Sequence, residues 1–225
     1  MPVTQNKKLT PIAVLSSGGL DSCVLLYDLS VNYSVVPIYV SQGLAWEPEE
    51  YSALETFISA LHTENIHNVV KLRMPVEEIY EQHWSITGEG VPSAKDPDEK
   101  VYLPGRNIFL LSAAGIWCAT HDVKQIALGS LAGNPFPDAT PEFFNEFAKV
   151  ISTATSSMIQ IITPYRDLTK SELIKRFEHL PLHLSITCNA PSNGTHCGKC
   201  NKCNERQEAF ILADVTDRTY YESKK

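Results

Sequence analysis

The sequence predicts an α/β fold, a parallel sheet flanked by helices with a small subdomain at its C-terminal end. Three observations carry this. Apolar, β-branched runs alternate with helix-like stretches through most of the 225 residues, and such alternation implies parallel strands joined by crossover helices. The first run, Ile12-Ala13-Val14-Leu15, leads straight into Ser17-Gly18-Gly19-Leu20-Asp21-Ser22, a glycine turn where the first helix should begin. Near Leu180 the periodicity gives way to His-, Pro-, Asn- and Cys-rich sequence containing Cys188, Cys197, Cys200 and Cys203. The layering expected is Rossmann-like, with residues 1–179 as one domain and 180–225 as a helical, metal-stapled subdomain.

The remaining elements follow from hydrophobic period. Ser34–Val40 is β-branched and apolar and reads as the second strand. Glu49–Leu61 places Tyr51, Leu54, Phe57, Ile58 and Leu61 on one helical stripe. Asn68–Leu72, Gln125–Gly129 and Ile159–Ile162 read as three further strands, and Asn107–Ala119, Pro141–Ile151 and Thr169–Phe177 as helices. The helix Asn107–Ala119 is apolar nearly all round, which predicts burial. Thr169 with Glu172 three positions on forms a capping box. Met74–Lys100, broken by Pro75, Pro92 and Pro97, fits neither period, and loops of this length commonly act as lids.

Ligands of such sheets bind at the carboxyl ends of the strands, where the glycine turn lies. Adjacent glycines remove the Cβ atoms that would hold an anion off the backbone, and N–H groups at a helix N-terminus can then point at it. Ser16, Ser17, Gly18, Gly19, Leu20, Asp21 and Ser22 are therefore the candidate phosphate-binding residues, Asp21 and Ser22 also catalytic ones. The spacing is neither Gly-x-Gly-x-x-Gly nor the lysine-bearing loop of P-loop NTPases. A plain turn capped by Asp21 or Ser22 is the simpler alternative.

Two other loops at expected strand ends carry polar groups. In Leu103-Pro104-Gly105-Arg106-Asn107, the Arg106 guanidinium suits bidentate contact with phosphate oxygens, and Asn107 is placed to cap the following helix. In Gly129–Asp138, the carboxylate of Asp138 reads either a substrate or caps the helix that begins at Pro141. Arg106 and Asp138 join the catalytic candidates, and Arg106 and Asn107 the nucleotide-binding ones.

The cysteines Cys188-x8-Cys197-x2-Cys200-x2-Cys203 match a tetrahedral Zn²⁺ site. With four protein ligands the metal would be structural. Thiolates also hold iron–sulfur clusters, so that alternative stays open. Disulfides are disfavoured because Met1–Thr10 carries no apolar signal segment, and the chain is expected in the cytoplasm. His196 reads as a loop residue or a donor behind the ligands, and Cys23 and Cys118, both in apolar stretches, as core residues. A formal charge of −7 argues against a protein devoted to nucleic acid. No apolar run approaches the ~20 residues that cross a bilayer, so neither a membrane nor a stable nucleic-acid partner is expected.

Ser-Gly-Gly-Leu-Asp-Ser resembles the PP-loop of the N-type ATP pyrophosphatases, whose fold is adenine nucleotide alpha hydrolase-like. Members grip the β- and γ-phosphates of ATP, transfer AMP to an oxygen and release pyrophosphate. Together with Leu103-Pro-Gly-Arg-Asn107, Phe136-Pro-Asp-x-x-Pro-Glu-Phe143 and the tail His196-Cys-Gly-Lys-Cys-x-x-Cys-x-x-Arg206, the chain resembles the 7-cyano-7-deazaguanine synthases over about Pro11 to Arg206. The resemblance implies a carbon–nitrogen ligase with ATP, Mg²⁺ and Zn²⁺: 7-carboxy-7-deazaguanine is adenylated, ammonia displaces AMP to give the amide, and a second ATP drives loss of the amide oxygen to a nitrile for queuosine synthesis. It also implies a small-molecule substrate, ammonia and a homodimer.

Two segments depart from that pattern. Where the family runs Tyr-Gly-Gln-Arg-His, this chain has Ser41-Gln42-Gly43-Leu44-Ala45-Trp46-Glu47, and Ala139-Thr140 replaces a Cys-Arg pair. Both lie near the expected substrate pocket. The rivals are a PP-loop ligase acting on another carboxylate, a tRNA-thiolating PP-loop enzyme, which would need reactive cysteines or an iron–sulfur cluster, and a zinc-knuckle binding module with a decayed nucleotide site.

Overall fold

A computed structural model describes residues 9–222. Residues 1–8, most of the stretch read as lacking a signal segment, lie outside the described residues. Among the described residues five parallel strands, β1 (Pro11–Leu15), β2 (Ser34–Ser41), β3 (Val70–Arg73), β4 (Gln125–Ala127) and β5 (Gln160–Ile162), form one sheet in the order β3-β2-β1-β4-β5. The chain winds outward from β1 in one direction, then returns to β1 and winds the other way. The crevice between β1 and β4 is thus the switch point, where ligands of doubly wound sheets bind.

Among the described residues eight α-helices accompany the sheet: α1 (Leu20–Ser30), α2 (Glu47–Leu61), α3 (Glu77–Tyr80), α4 (Trp84–Thr87), α5 (Arg106–Thr120), α6 (Pro141–Thr155), α7 (Lys170–Arg176) and α8 (Asn201–Leu212). Residue alternation along β1 sorts them into two layers. Ile12 and Val14 pack with buried residues of α1, α2, α7 and α8, whereas Ala13 and Leu15 pack with those of α5 and α6. Phe210 and Ala209 of α8 belong to the first of these clusters together with Leu180 and Leu182, so the cysteine-bearing segment shares apolar contacts with the sheet layer. The capping box at Thr169 and Glu172 forms.

Three sequence expectations change. Helix α5 is one-sided: Leu111, Ala114, Gly115 and Cys118 are buried while Ile108 and Ile116 are exposed. Its close approach to α6 falls at Gly115, where an added Cβ would lie 2.6 Å from Ile151 Cδ1. The cap of α6 is Thr140, whose side chain accepts from Phe143 N–H at 3.1 Å, and not Asp138. The segment Met74–Lys100 is fastened at both ends and does not stand free as a lid. Met74 and Val76 N–H groups bond to the Ser41 and Gln42 carbonyls, Ala94 N–H bonds to Lys199 O, and Asn201 N–H bonds to Pro92 O. Val76 also packs with Leu44, Trp46 and Leu103, and the Trp46 and Trp84 rings stack 5.4 Å apart. The apolar residues at Leu44 and Trp46 thus serve as a buried anchor for this segment.

Candidate active site and metal centre

The turn after β1 is stitched by its own serines. Ser17 N–H donates to Ser22 Oγ at 3.2 Å, Ser22 Oγ–H donates to Gly19 O at 3.1 Å, and Gly19 N–H donates to Ser17 Oγ at 3.3 Å. Gly18 has φ +75, and an added Cβ would sit 2.2 Å from the Glu50 carbonyl oxygen. Only glycine fits there, both for its dihedral and because α2 lies against the loop. Ser17, Gly19, Asp21 and Ser22 line a cleft of ≈ 220 Å³ with Leu15, Ile38, Val40, Leu110 and Leu128. Two predicted loop residues contribute differently. Ser16 lines the cleft, yet its hydroxyl turns back to Val14 O at 2.9 Å, and the Leu20 side chain is buried in the core.

Asp21 begins a charged network that the sequence did not reveal. Its Oδ2 lies 3.5 Å from Lys170 Nζ, Lys170 pairs with Glu205, and Lys202 pairs with Glu205 at 2.6 Å. Burial raises the Asp21 carboxyl, opposed by Lys170. Burial alone would lower the Lys170 ammonium, but the Asp21 and Glu205 charges outweigh it and hold it well above its ordinary value. Glu205 resists burial because Lys170 and Lys202 pull its carboxyl down to about 2. Asp21 Oδ1 is buried with no partner, an oxygen free to ligate a cation. Asp21, Lys170, Lys202 and Glu205 line a second hollow of ≈ 200 Å³ that shares Asp21, Gly129, Ser130 and Asn134 with the cleft.

The opposite wall carries Arg106, Tyr39 and Glu50. Arg106 Nε donates to Gln42 Oε1 at 3.1 Å, which orients the guanidinium. The Glu50 carboxyl is raised to about 7, chiefly by burial, with Arg106 lowering it and Glu47 raising it. Glu50 was not anticipated; its only sequence signal is an acidic residue one turn into a helix packed on the loop.

Asp138 is buried and is absent from the cleft lining. It accepts from Asn107 N–H at 3.0 Å, and its backbone carbonyl accepts from Asn107 Nδ2 at 2.8 Å. Its carboxylate therefore satisfies an open N–H in the first turn of α5. Asn107 is the second residue of α5 and not its cap, a position held by Gly105. Asn107 does line the cleft, as does Ala139.

The four cysteines converge as expected. Cys188, Cys197, Cys200 and Cys203 are buried, and their sulfurs lie within 4.8 Å of one another. The Cys188–Cys200 and Cys197–Cys203 Sγ pairs are each 3.9 Å apart, close to the edge of about 3.8 Å expected for a tetrahedron of ~2.3 Å metal–sulfur bonds. The donor set thus fits a single tetrahedral ion, with no room between the sulfurs for bridging sulfides. Backbone N–H groups of Ala190 and Cys197 point at Cys188 Sγ, both at 3.3 Å, as suits a thiolate. His196 Nε2 accepts from Thr187 N–H at 3.1 Å, so it braces the ligand loop from outside the set. Cys23 and Cys118 are fully buried, and burial pushes both thiols up, Cys118 to about 12.

A doubly wound parallel sheet with a stitched Ser-Gly-Gly-Leu-Asp-Ser loop at its switch point defines a nucleotide-binding α/β protein of the PP-loop kind. Within that class, the family described as "Queuosine biosynthesis protein QueC" matches residues 11–214, and the chain belongs to it. The 7-cyano-7-deazaguanine synthase of Methanocaldococcus jannaschii is 32% identical over 93% of this chain and 98% of that protein. The enzyme of the same name from Chlorobium phaeobacteroides is 30% identical over 93% and 96%. A 7-cyano-7-deazaguanine synthase 1 from Desulfitobacterium hafniense is 28% identical over 89% and 91%. A solved structure of the U34-tRNA thiolase NcsA from Methanococcus maripaludis with its [4Fe-4S] cluster is 13% identical, covers 92% of this chain and 66% of that one, and gives a TM-score of 0.49. No described helix is long and apolar enough to cross a membrane.

Proposed function

We propose that the chain is an ATP-dependent carbon–nitrogen ligase that converts 7-carboxy-7-deazaguanine and ammonia to 7-cyano-7-deazaguanine for queuosine biosynthesis. The carrying observation is the serine-stitched loop opening onto a cleft with an unpartnered Asp21 oxygen, in a chain of this family. Bound ATP supplies the adenylyl group that turns a carboxylate or amide oxygen into a leaving group, and Mg²⁺ offsets the polyphosphate charge.

The residues have separable roles. With Ser17, Gly19 and Ser22 holding the turn, the Ser17 hydroxyl and the open backbone N–H groups in the first turn of α1 are the donors for the phosphates, and Asp21 Oδ1 would ligate Mg²⁺. Lys170 and Lys202, on the far side of Asp21, balance negative charge as pyrophosphate departs. Arg106, fixed through Nε, has both terminal nitrogens without a hydrogen-bond partner among the described residues and can donate bidentately. Zn²⁺ is the ion that four such closely set thiolates suit, and it would stabilise the tail. A thiolating reading is less well supported, since Cys23, the cysteine beside the loop, is fully buried with its thiol held protonated.

Mass spectrometry after incubation with ATP, Mg²⁺, ammonium and 7-carboxy-7-deazaguanine tests the proposal. AMP, pyrophosphate and the nitrile are expected. ADP as the nucleotide product, or no nitrile, would sink it. Ammonia as nitrogen donor, a cytoplasmic location suited to metal-bound thiols and a homodimer belong to the same reading. The exposed Ile108 and Ile116 of α5 and Val150 of the adjacent α6 offer apolar surface for a second copy, which light scattering would detect.

A further inference from the structure

We infer that Glu50 is the specificity residue of the cleft, its carboxylate accepting the ring N–H and adjoining amino group of a guanine-like substrate while Arg106 donates to the neighbouring ring carbonyl. This rests on the ligase reading above and adds to it the side chains that recognise the base.

Glu50 is held at the phosphate loop by the contact of its own backbone with Gly18, so a ligand touching its carboxyl lies beside the reacting phosphates. Leu15, Ile38, Val40 and Leu128 supply an apolar wall suited to a flat ring. The nearby charge is asymmetric. Arg106 attracts the Glu50 carboxyl, no ion pair joins them among the described residues, and the guanidinium is held through Nε by Gln42. A guanidinium beside a carboxylate presents donor next to acceptor, the complement of a cyclic amide edge that carries a carbonyl next to N–H and an amino group. Glu50 and Arg106 are the charged side chains of the cleft lining besides Asp21 at the phosphate loop, which makes the pair the strongest recognition element on this wall.

Other ligands fit less well. Ammonium needs several acceptors, yet the hydrogen-bonding neighbours of Glu50 are Tyr39 and Trp46, and an indole only donates. Mg²⁺ needs several oxygens, but the carboxylate of Glu47 is committed to Ser41 Oγ and the Gln42 N–H. The groups facing Glu50 are Arg106 from α5, Glu47 from α2, Trp46 just before α2, Tyr39 from β2 and Cys23 from α1. With the free carboxyl near 7, donors that favour its charged form draw that value down on binding. Affinity should therefore fall as pH drops below about 7.

Calorimetry with 7-carboxy-7-deazaguanine and a non-hydrolysable ATP analogue, between about pH 6 and about pH 8, decides it. Glu50→Gln should raise Kd for the acid by roughly tenfold or more, abolish the pH dependence, and leave affinity for the ATP analogue and the melting temperature undiminished. An acid lacking the 2-amino group should bind the wild type more weakly and Glu50→Gln about equally. Should the variant bind the full acid like wild type, or lose ammonium affinity instead, Glu50 does not read the base although the ligase reading survives. If wild type fails to bind the acid, that reading fails and this inference with it.

Discussion

The two ends of the cleft are built on opposite electrostatic plans. At the Asp21 end the charges satisfy one another: Lys170 bridges Asp21 and Glu205, and Lys202 holds Glu205 from the other side. At the Glu50 end a carboxyl and a guanidinium lie near each other unpaired, each held by neutral neighbours. A paired network stabilises and positions; an unpaired buried carboxyl costs stability until something binds it. One end is thus preorganised for a fixed cation and polyphosphate, and the other is left open for a variable ligand.

Removing the metal should have the largest effect on this contrast. Helix α8 supplies both Cys203 and Glu205, so loss of the ion perturbs the Asp21 end first. Chelation, or any one of Cys188→Ser, Cys197→Ser, Cys200→Ser and Cys203→Ser, should lower the melting temperature sharply, because a structural metal contributes folding free energy directly. Elemental analysis should find one zinc per chain, and an iron–sulfur absorption spectrum would instead revive the thiolating reading. Next in size, Asp21→Ala and Ser22→Ala should reduce turnover by ~10²-fold or more in protein that still folds, the scale of a lost preorganised contact; wild-type turnover in either would remove the loop from the chemistry.

Lys170→Ala leaves two carboxylates facing each other and should destabilise by about 3 kcal/mol. The double variant Lys170→Ala with Glu205→Gln should recover part of that loss, and strict additivity in denaturant titrations would mean the network is not coupled. Glu50→Gln should do the reverse and stabilise the ligand-free protein. Its carboxyl titrates at about 7 when folded against an ordinary 4.5, so the stability of the protonated form is complete below the unfolded value and is lost as pH rises through the folded one. The gain in melting temperature should accordingly grow from acid to mildly alkaline pH; a gain independent of pH would refute the assigned cause. The smallest effect is at Asp138→Asn, which weakens one charge-assisted bond to the start of α5 and should cost ~1 kcal/mol with little change in substrate affinity.

The phosphate loop and the cysteine centre were legible in the sequence because each is local. Ser17 to Ser22 carry their own turn, strand and helix signals, and Cys197, Cys200 and Cys203 fall within one turn and a helix start. Asp138 shows the limit of local reading: an acid before Pro141 looks like that helix's cap, yet its partner is Asn107, 31 residues earlier. Long-range hydrogen bonds leave no periodic trace.

By itself the sequence determined the layered parallel fold, the anion-binding turn and the thiolate set, since hydrophobic period, glycine freedom and ligand spacing act over a few residues. Only the tertiary structure decided which charges meet. Lys170 reaches Asp21 and Glu205 from a third helix, and Glu50 comes beside Arg106 because α2 and α5 converge at the sheet's carboxyl edge. Coulombic energy depends on distance in space and on burial, and neither is written in the order of residues along the chain.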